Sequence, residues 1–343
     1  KMNNIKKIGI SALAGSLAMV SANAVEYTMS GGMMATYSTQ KDNGAAEATN
    51  GKGLGTATDL SFNASGELDN GFTVGYFMSV DTNAALANTS SQMTIGMGSL
   101  GTLQLNNIGG SKANAIDDVT PNAYNETWDG LTGANSNPSF FGSLTSSGSI
   151  DYRIPTQDIA GYTLNASVTY DPNASEGAAA KGGVAATTVA GQAYTIELAH
   201  AGSGVSVGAG LETVDDGAGL LLSSDTEHTT AYVKYANGPL SLGAQTAYAN
   251  NRNGTGTTGA DTEAQFWSVA YTMGDLTLSY AESEMETKAV STTAAKPTAE
   301  LESIQAAYSM GAMTISAAMS ETANPGEATG SYEENTLAVS FAF

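Results

Sequence analysis

The 343-residue sequence contains no cysteine, and this absence excludes two classes of site. Without thiols, neither a disulfide framework nor a thiolate metal site can form. Basic residues are also scarce, with 12 Lys and Arg against 33 Asp and Glu. A nucleic-acid partner is therefore not expected, because its recognition needs a basic surface. Long apolar runs are missing too, apart from one near the N-terminus.

That N-terminal run has the layout of a secretion signal. Lys6 and Lys7 precede the apolar stretch 8–20, and Ala22-Asn23-Ala24 follows as a cleavage site of A-x-A type. An anchoring helix is the alternative, but 13 apolar residues are too few to cross a bilayer. We predict a cleaved signal peptide over residues 1–24 and one mature domain over residues 25–343.

The mature sequence is dominated by strict alternation of apolar with small or polar residues. The stretches 72–80, 162–170 and 336–343 show it most clearly. A period of two is typical of β-strands. The polar face carries too little charge for an ordinary solvated surface and too little apolar area for the core of a sandwich.

Short and long connections alternate between these strands. Seven short turns rich in glycine or Asn-Gly, which supply positive φ in hairpins, alternate with eight longer polar links. Short turns at one end and long loops at the other are typical of transmembrane barrels, which leave no strand edge open in lipid. The sequence therefore predicts an all-β fold, a 16-stranded antiparallel transmembrane β-barrel.

Several stretches, taken in order, resemble the general diffusion porins of Gram-negative bacteria, in particular the alphaproteobacterial ones. They are SGGMMATY, FNASGELDNGFTVGYFMSV, MGSLGTLQLNNI, SIDYRIPTQDIAGYTLNASVTYD and the terminal VSFAF. The resemblance implies a homotrimer in the outer membrane, with water-filled pores for small hydrophilic solutes and ions and no cofactor. It also implies an inward-folded third loop and a terminal aromatic residue that the barrel assembly machinery reads.

The third long link, residues 109–148, holds the candidate constriction residues. A link this long in a compact domain is usually functional, although a solvated surface loop is the alternative. Its place after the fifth strand matches the porin constriction loop, so the resemblance implies a pore-lining role for its charges. These are Lys112, Asp117, Asp118, Glu126 and Asp129. Asp117 and Asp118 could instead bind calcium, but EF-hand spacing is absent.

Strand parity assigns further charges to the lumen. A charge on the lipid face costs about 2–4 kcal/mol at the membrane midplane, which favours the inward assignment. The residues so assigned are Glu67, Asp81, Asp151, Arg153, Glu197, Glu212, His228 and Lys234. With the third loop, nine acids face three bases, which predicts modest cation selectivity. Strands two to four carry no Lys or Arg, so the basic wall of related porins is not expected there.

Two features bear on assembly. Small residues assigned to outward faces would permit close contact between barrels; they are Gly31, Ala35, Ala317 and Ala338. The C-terminal aromatic residues Phe341 and Phe343 are expected to face lipid near the periplasm and to form the assembly signal.

Other functions have less support. An enzyme would need Ser, His and acid to converge, and the sequence has only His200 and His228, so no catalysis is expected. A substrate-selective channel would need aromatic residues along the lumen, where parity offers only Phe77, Tyr232 and Phe266. A barrel that anchors surface loops is a third alternative, distinguished by low conductance in planar bilayers.

Overall fold

In a computed structural model, the described residues form one antiparallel sheet that closes on itself. They are residues 25–42, 50–81, 86–126, 141–142, 144–145, 147–172, 190–214, 226–250, 260–289 and 296–343. The predicted signal peptide, residues 1–24, lies outside this set, and so does Asp129.

The sheet follows chain order around the barrel. Its strands are β1 (Glu26–Asp42), β2 (Gly51–Glu67), β3 (Thr73–Asp81), β4 (Ala87–Gly96), β5 (Thr102–Ile108), β6 (Ser149–Arg153), β7 (Gln157–Ile159), β8 (Tyr162–Asp171), β9 (Gly191–His200), β10 (Val205–Val214), β11 (Thr226–Asn237), β12 (Leu240–Asn250), β13 (Ala260–Met273), β14 (Leu276–Ala289), β15 (Ala299–Met310), β16 (Met313–Ala323) and β17 (Ser331–Ala342). Three short 3₁₀ turns accompany them: Gly98–Leu100, Asn114–Ile116 and Pro325–Glu327. In the described part of the chain, no helix has the length and apolar character needed to cross a membrane.

Two of these strands share one crossing of the wall. β6 and β7 both pair with β8, and residues 154–156 separate them. Pro155 lies in the gap, and proline cannot donate a ladder hydrogen bond. Counting β6 and β7 as one, the described strands cross the wall sixteen times, which confirms the predicted fold.

The first and last strands close the barrel. β1 pairs with β17 from Gly32 opposite Ala342 to Asp42 opposite Tyr332. The backbones of Gly31 and Phe343 exchange two hydrogen bonds of 2.9 and 3.0 Å. The terminal residue thus completes the seam, and its outward side chain is 68% exposed.

The seven short turns lie where the sequence predicts them. Each contains a glycine with positive φ, a conformation that other residues adopt only with strain. These glycines are Gly71, Gly101, Gly161, Gly204, Gly238, Gly274 and Gly311. All seven turns lie at the same end of the barrel.

Outward side chains form a broad apolar belt, while small and polar side chains face the lumen. Leu337 and Phe341 on β17 are exposed at 51% and 47%, whereas Ala338 between them is 1% exposed. Ala338 shares the parity of Thr336 and Ser340, so it faces inward. Its outward assignment from the sequence is wrong.

The outer face of the last strands carries carboxylates as well. Glu302 lies directly opposite Glu282 on β14 and Glu321 on β16, and Glu321 lies opposite Glu333 on β17. Lys41 contacts Glu333 at 3.0 Å. Outward charges cost only about 0–1 kcal/mol near the membrane interface, so this row marks the upper limit of the apolar belt.

Candidate functional site

The third loop, residues 109–148, turns into the barrel directly after β5. We call it L3. Two wall amides fix the turn: Gln104 Nε2 donates to Gly110 O at 2.6 Å, and Gln92 Nε2 donates to Gly109 O at 3.2 Å. Gly109 and Gly110 both have positive φ, so glycine permits the change of direction. The start of L3 is therefore held by the inner wall.

The outgoing limb of L3, residues 111–126, follows the inner wall to β15. Side chains from four successive strands bond to its backbone. These contacts involve Gln245 on β12, Ser268 on β13, Ser279 on β14 and Gln305 on β15. At its far end, Tyr124 Oη donates to Met34 Sδ on β1 at 3.4 Å. Burial and the nearby Glu334 carboxylate raise the pKa of the Tyr124 phenol.

The described residues of the returning limb, 141–142, 144–145 and 147–148, begin against β10. Glu212 Oε2 accepts from Gly142 N at 2.9 Å, and Oε1 accepts from the backbone and hydroxyl of Thr145, both at 2.7 Å. Phe141 packs in a buried cluster with Ile116 and Tyr232. The two limbs therefore share one apolar contact inside the lumen.

Glycines in the wall make room for L3. A Cβ on Gly210 of β10 would lie 2.1 Å from Phe141 Cζ, and one on Gly243 of β12 would lie 2.7 Å from Pro121 Cδ. Glycine inside a strand often marks a close backbone approach. The inward glycines are visible in the sequence, but apolar alternation alone does not identify them as contact points for L3.

The bases near the start of L3 are engaged by carboxylates. Lys112 Nζ lies 2.5 Å from Glu197 Oε1, and Tyr232 Oη donates to Glu197 Oε2 at 2.6 Å. Asp151 is fully buried and accepts from Arg153 Nε at 2.8 Å and from Lys112 N at 3.1 Å. Asp151 thus lies behind L3, whereas Arg153 and Lys112 are partly exposed.

The acids of L3 itself are half-buried. Asp118 Oδ1 accepts from Thr120 N and Oγ1, both at 2.7 Å, and Asp117 Oδ1 accepts from Asp118 N at 2.8 Å. Glu126 ends the described outgoing limb. These bonds shape the loop, and the role of its acids toward solutes stays a prediction.

The wall formed by β2 and β3 carries two facing acids. Asp59 on β2 lies directly opposite Asp81 on β3, and both line a cavity of about 580 Å³ beside the β1–β17 seam. Met34, Ser79, Thr314 and Ser340 line the same cavity. Asp59 is exposed and was missed by the sequence analysis, although Leu60 and Phe62 fix its inward parity. Glu67, also inward by parity, lies exposed at the turn end of β2.

A family model for Gram-negative porins matches residues 9–324. The chain belongs to the Gram-negative porin family. Among solved structures, it is similar to a porin refined at 1.8 Å resolution, with 16% identity and a TM-score of 0.64 over 93% of this chain and 100% of the other.

Two further structures show the same fold at low identity. The outer-membrane protein OmpT of Vibrio cholerae is 12% identical, with a TM-score of 0.66 over 94% of this porin and 99% of that chain. An anion-selective porin from Comamonas acidovorans is 15% identical, with a TM-score of 0.64 over 93% of this porin and 100% of that chain. No curated protein sequence matches this porin significantly.

The histidines of this porin lie far from one another. His228 is 5% exposed, and its Nδ1 lies 3.6 Å from Glu212, the carboxylate that holds L3. His200 lies next to a periplasmic turn, where Nδ1 and Ser203 Oγ are 2.9 Å apart. Within the described ranges, no group of three or more Asp, Glu or His side chains is placed to hold a metal ion. Calcium at Asp117 and Asp118 stays an untested prediction.

Proposed function

We propose that this porin is an outer-membrane channel for passive diffusion of small hydrophilic solutes and ions, with a modest preference for cations. The observation that carries the proposal is the position of L3. Its described limbs lie against the inner wall from β10 to β15, and a cavity of about 580 Å³ lies beside the β1–β17 seam. A closed barrel with this layout offers a polar path narrowed by its own loop.

The cation preference rests on where the charges lie. Around the two limbs of L3, the wall carries three carboxylates, and three bases accompany them: Lys112, Arg153 and Lys234 with Asp151, Glu197 and Glu212. The L3 acids Asp117, Asp118 and Glu126 add negative charge along the outgoing limb. β2 lies eight crossings from β11, which places Asp59 opposite Lys234 across the lumen. The wall formed by β2 and β3 adds Asp59 and Asp81, so the net charge along the passage is negative.

The sign of selectivity is not set by the fold. The similar porin from Comamonas acidovorans is described as anion-selective. We therefore base our proposal on this chain's own charges. At an effective dielectric of 20, two unit charges about 4 Å apart interact by roughly 4 kcal/mol, and salt reduces this over a Debye length of about 10 Å at 0.1 M.

Reversal potentials across a salt gradient test the proposal. The purified porin in a planar bilayer should show a large ohmic conductance and a cation-preferring reversal potential, strongest at low salt. Asp59→Asn with Asp81→Asn should reduce that preference. Glu302→Gln, which removes an outward carboxylate, is the matched control and should leave it unchanged. An anion-preferring wild-type pore would contradict the charge assignment, and the absence of conductance would contradict the channel itself.

Assembly and targeting complete the proposal. The homotrimer is supported by the family and by the small outward residues Gly31, Ala35 and Ala317. Export through a cleaved signal peptide over residues 1–24 and recognition of Phe343 by the assembly machinery are proposed from the sequence pattern. Native mass measurement in mild detergent tests the trimer, and a protein that is only monomeric would count against it.

A substrate-selective channel has less support from the lumen. Of its candidate aromatic residues, Phe266 is 2% exposed within an apolar cluster, and Tyr232 is 8% exposed and bonded to Glu197. Covered rings of this kind provide no continuous stacking path for a passing ligand. General diffusion is therefore the function that the geometry favours.

A further inference from the structure

We propose that Gln245 and Gln305 are positioning residues that hold the outgoing limb of L3 against the wall and so set the width of the pore. The proposal rests on the proposed channel function, because width matters only if solutes pass. Both glutamines lie far from L3 in sequence, and neither belongs to the charged set that the sequence suggested.

Gln245 forms the first clamp, on β12. Its side chain is 4% exposed, and Oε1 accepts from Val119 N at 3.0 Å. Nε2 donates to Ile116 O at 2.9 Å and to Asp117 O at 3.0 Å. Nε2 also lies 2.8 Å from Thr230 Oγ1 on the neighbouring strand β11, and this contact orients the amide. One side chain thus satisfies three backbone groups of L3.

Gln305 forms the second clamp, on β15. It is 2% exposed, and its Oε1 accepts from Tyr124 N at 2.8 Å and Asn125 N at 3.1 Å. Nε2 donates to Asn125 O at 2.8 Å and to Ser303 Oγ at 3.1 Å. Again a neighbouring hydroxyl orients the amide, and three backbone groups of L3 are satisfied.

Only an amide can fill these positions. A glutamine side chain offers both donor and acceptor, whereas glutamate only accepts when ionised and lysine only donates. Adjacent strands are about 4.8 Å apart, so β12 and β15 place the two clamps roughly 14 Å apart along the wall. Single bonds from Ser268 and Ser279 support the limb between them. The clamps therefore fix both ends of the segment 116–125.

Release of the clamps should move this segment toward the passage. The barrel wall lies on one side of the limb, so a detached limb moves into the lumen. Its backbone groups would seek water in the lumen, because a buried group without a partner costs about 1–3 kcal/mol. The expected result is a pore that fluctuates between open and narrowed levels.

The decisive variant is Gln245→Met with Gln305→Met, which keeps side-chain length and removes every clamp bond. Single-channel recording should show loss of the single stable conductance level of the wild type. Gln265→Met is the matched control, because Gln265 lies on β13 but faces outward and is exposed. It should retain the stable level.

A reversible tether separates positioning from general stability. The chain has no cysteine, and Ala123 N lies 2.9 Å from Ser279 Oγ, so Ala123→Cys with Ser279→Cys introduces the only two thiols. In the double-Met background, oxidation should restore the stable level and reduction should abolish it again.

The outcomes are distinguishable. A wild type without conductance would overturn the channel function and the clamps with it. If the wild type conducts and the folded double-Met variant keeps the same stable conductance level, the clamp proposal alone is overturned. If the double variant does not fold, each single Met variant is recorded in the same way, and a stable level in both would refute the proposal.

Discussion

Replacing Gly210 by alanine should push the returning limb of L3 away from the barrel wall. A Cβ at this position would lie 2.1 Å from Phe141 Cζ and 2.5 Å from Cε1. Ordinary contact begins near 3.4 Å, so the ring must retreat by about 1.3 Å, which is 3.4 − 2.1. Phe141 is only 2% exposed and already packs against Ile116 and Tyr232. Overpacking of this kind costs about 1–3 kcal/mol.

The displacement should reach the hydrogen bonds next to it. Gly142 N and Thr145 N bond to Glu212 at 2.9 and 2.7 Å, and a shift of more than 1 Å would carry these atoms beyond bonding distance. Glu212 is fully buried, so its carboxylate would lose partners without gaining water. The perturbation should therefore detach the limb and not merely rotate one ring.

Thermal unfolding in detergent and single-channel recording measure the two effects. Gly210→Ala should unfold earlier than the wild type and show a changed open level. Gly53→Ala is the matched control, because a Cβ there meets nothing within 4 Å and φ is ordinary. Adding Phe141→Leu should restore much of the stability by shortening the clashing side chain. Identical behaviour of Gly210→Ala and Gly53→Ala would refute the reasoning.

Two further changes test the anchor and the seam. Glu212→Ala removes the acceptor of three L3 hydrogen bonds and should lower the free energy of unfolding by about 1–3 kcal/mol for each buried group left unpaired. Unfolding in denaturant measures this loss, and the outward substitution Glu302→Ala is the neutral control. Phe343→Ala should reduce the yield of barrel in the outer membrane more than the melting temperature of the purified protein, because the backbone bonds to Gly31 remain; unchanged yield would contradict a role as assembly signal.

The sequence predicts the barrel well because the alternation within each strand shows which side chains face outward and which face the lumen. Alternation identifies the crossings, and glycine identifies the turns. The strand ends are less well predicted, as β1 and β2 show. The polar stretch 38–57 has no regular alternation, yet Ser38 lies opposite Gly53 and Gln40 opposite Gly51. Above the apolar belt an outward face needs no apolar residue, so alternation fades while the hydrogen-bonded ladder continues.

The outward acids have the same explanation. A lipid-facing charge costs free energy at the membrane midplane, which favours inward charges. Glu282 and Glu302 lie above Tyr280 and Ile304, where that cost is small. Parity shows which face a residue occupies and not its height along the barrel. Height depends on the register between strands, which one sequence does not supply.

The site depends on contacts that no local pattern reports. Gln245 and Val119 are 126 positions apart, and Gln305 and Tyr124 are 181 apart. A glutamine at inward parity is an ordinary lumen residue until L3 is placed beside it. The charged residues of L3 were identifiable from its length and composition, but the uncharged amides and glycines that receive the loop were not.

We expect the position of L3 and the ion selectivity to depend on different walls of this barrel. The Asp151–Arg153 and Glu197–Lys112 pairs lie where L3 starts, and each pair presents a dipole to the passage, not a net charge. A dipole's field falls off faster with distance than that of a single charge, so these pairs mainly fix the loop. Asp59 is exposed on the wall formed by β2 and β3, and its field reaches an ion in the lumen across water. The wall that binds the described limbs of L3 should therefore determine pore width, and the wall that carries Asp59 and Asp81 should determine the sign of the preferred ion.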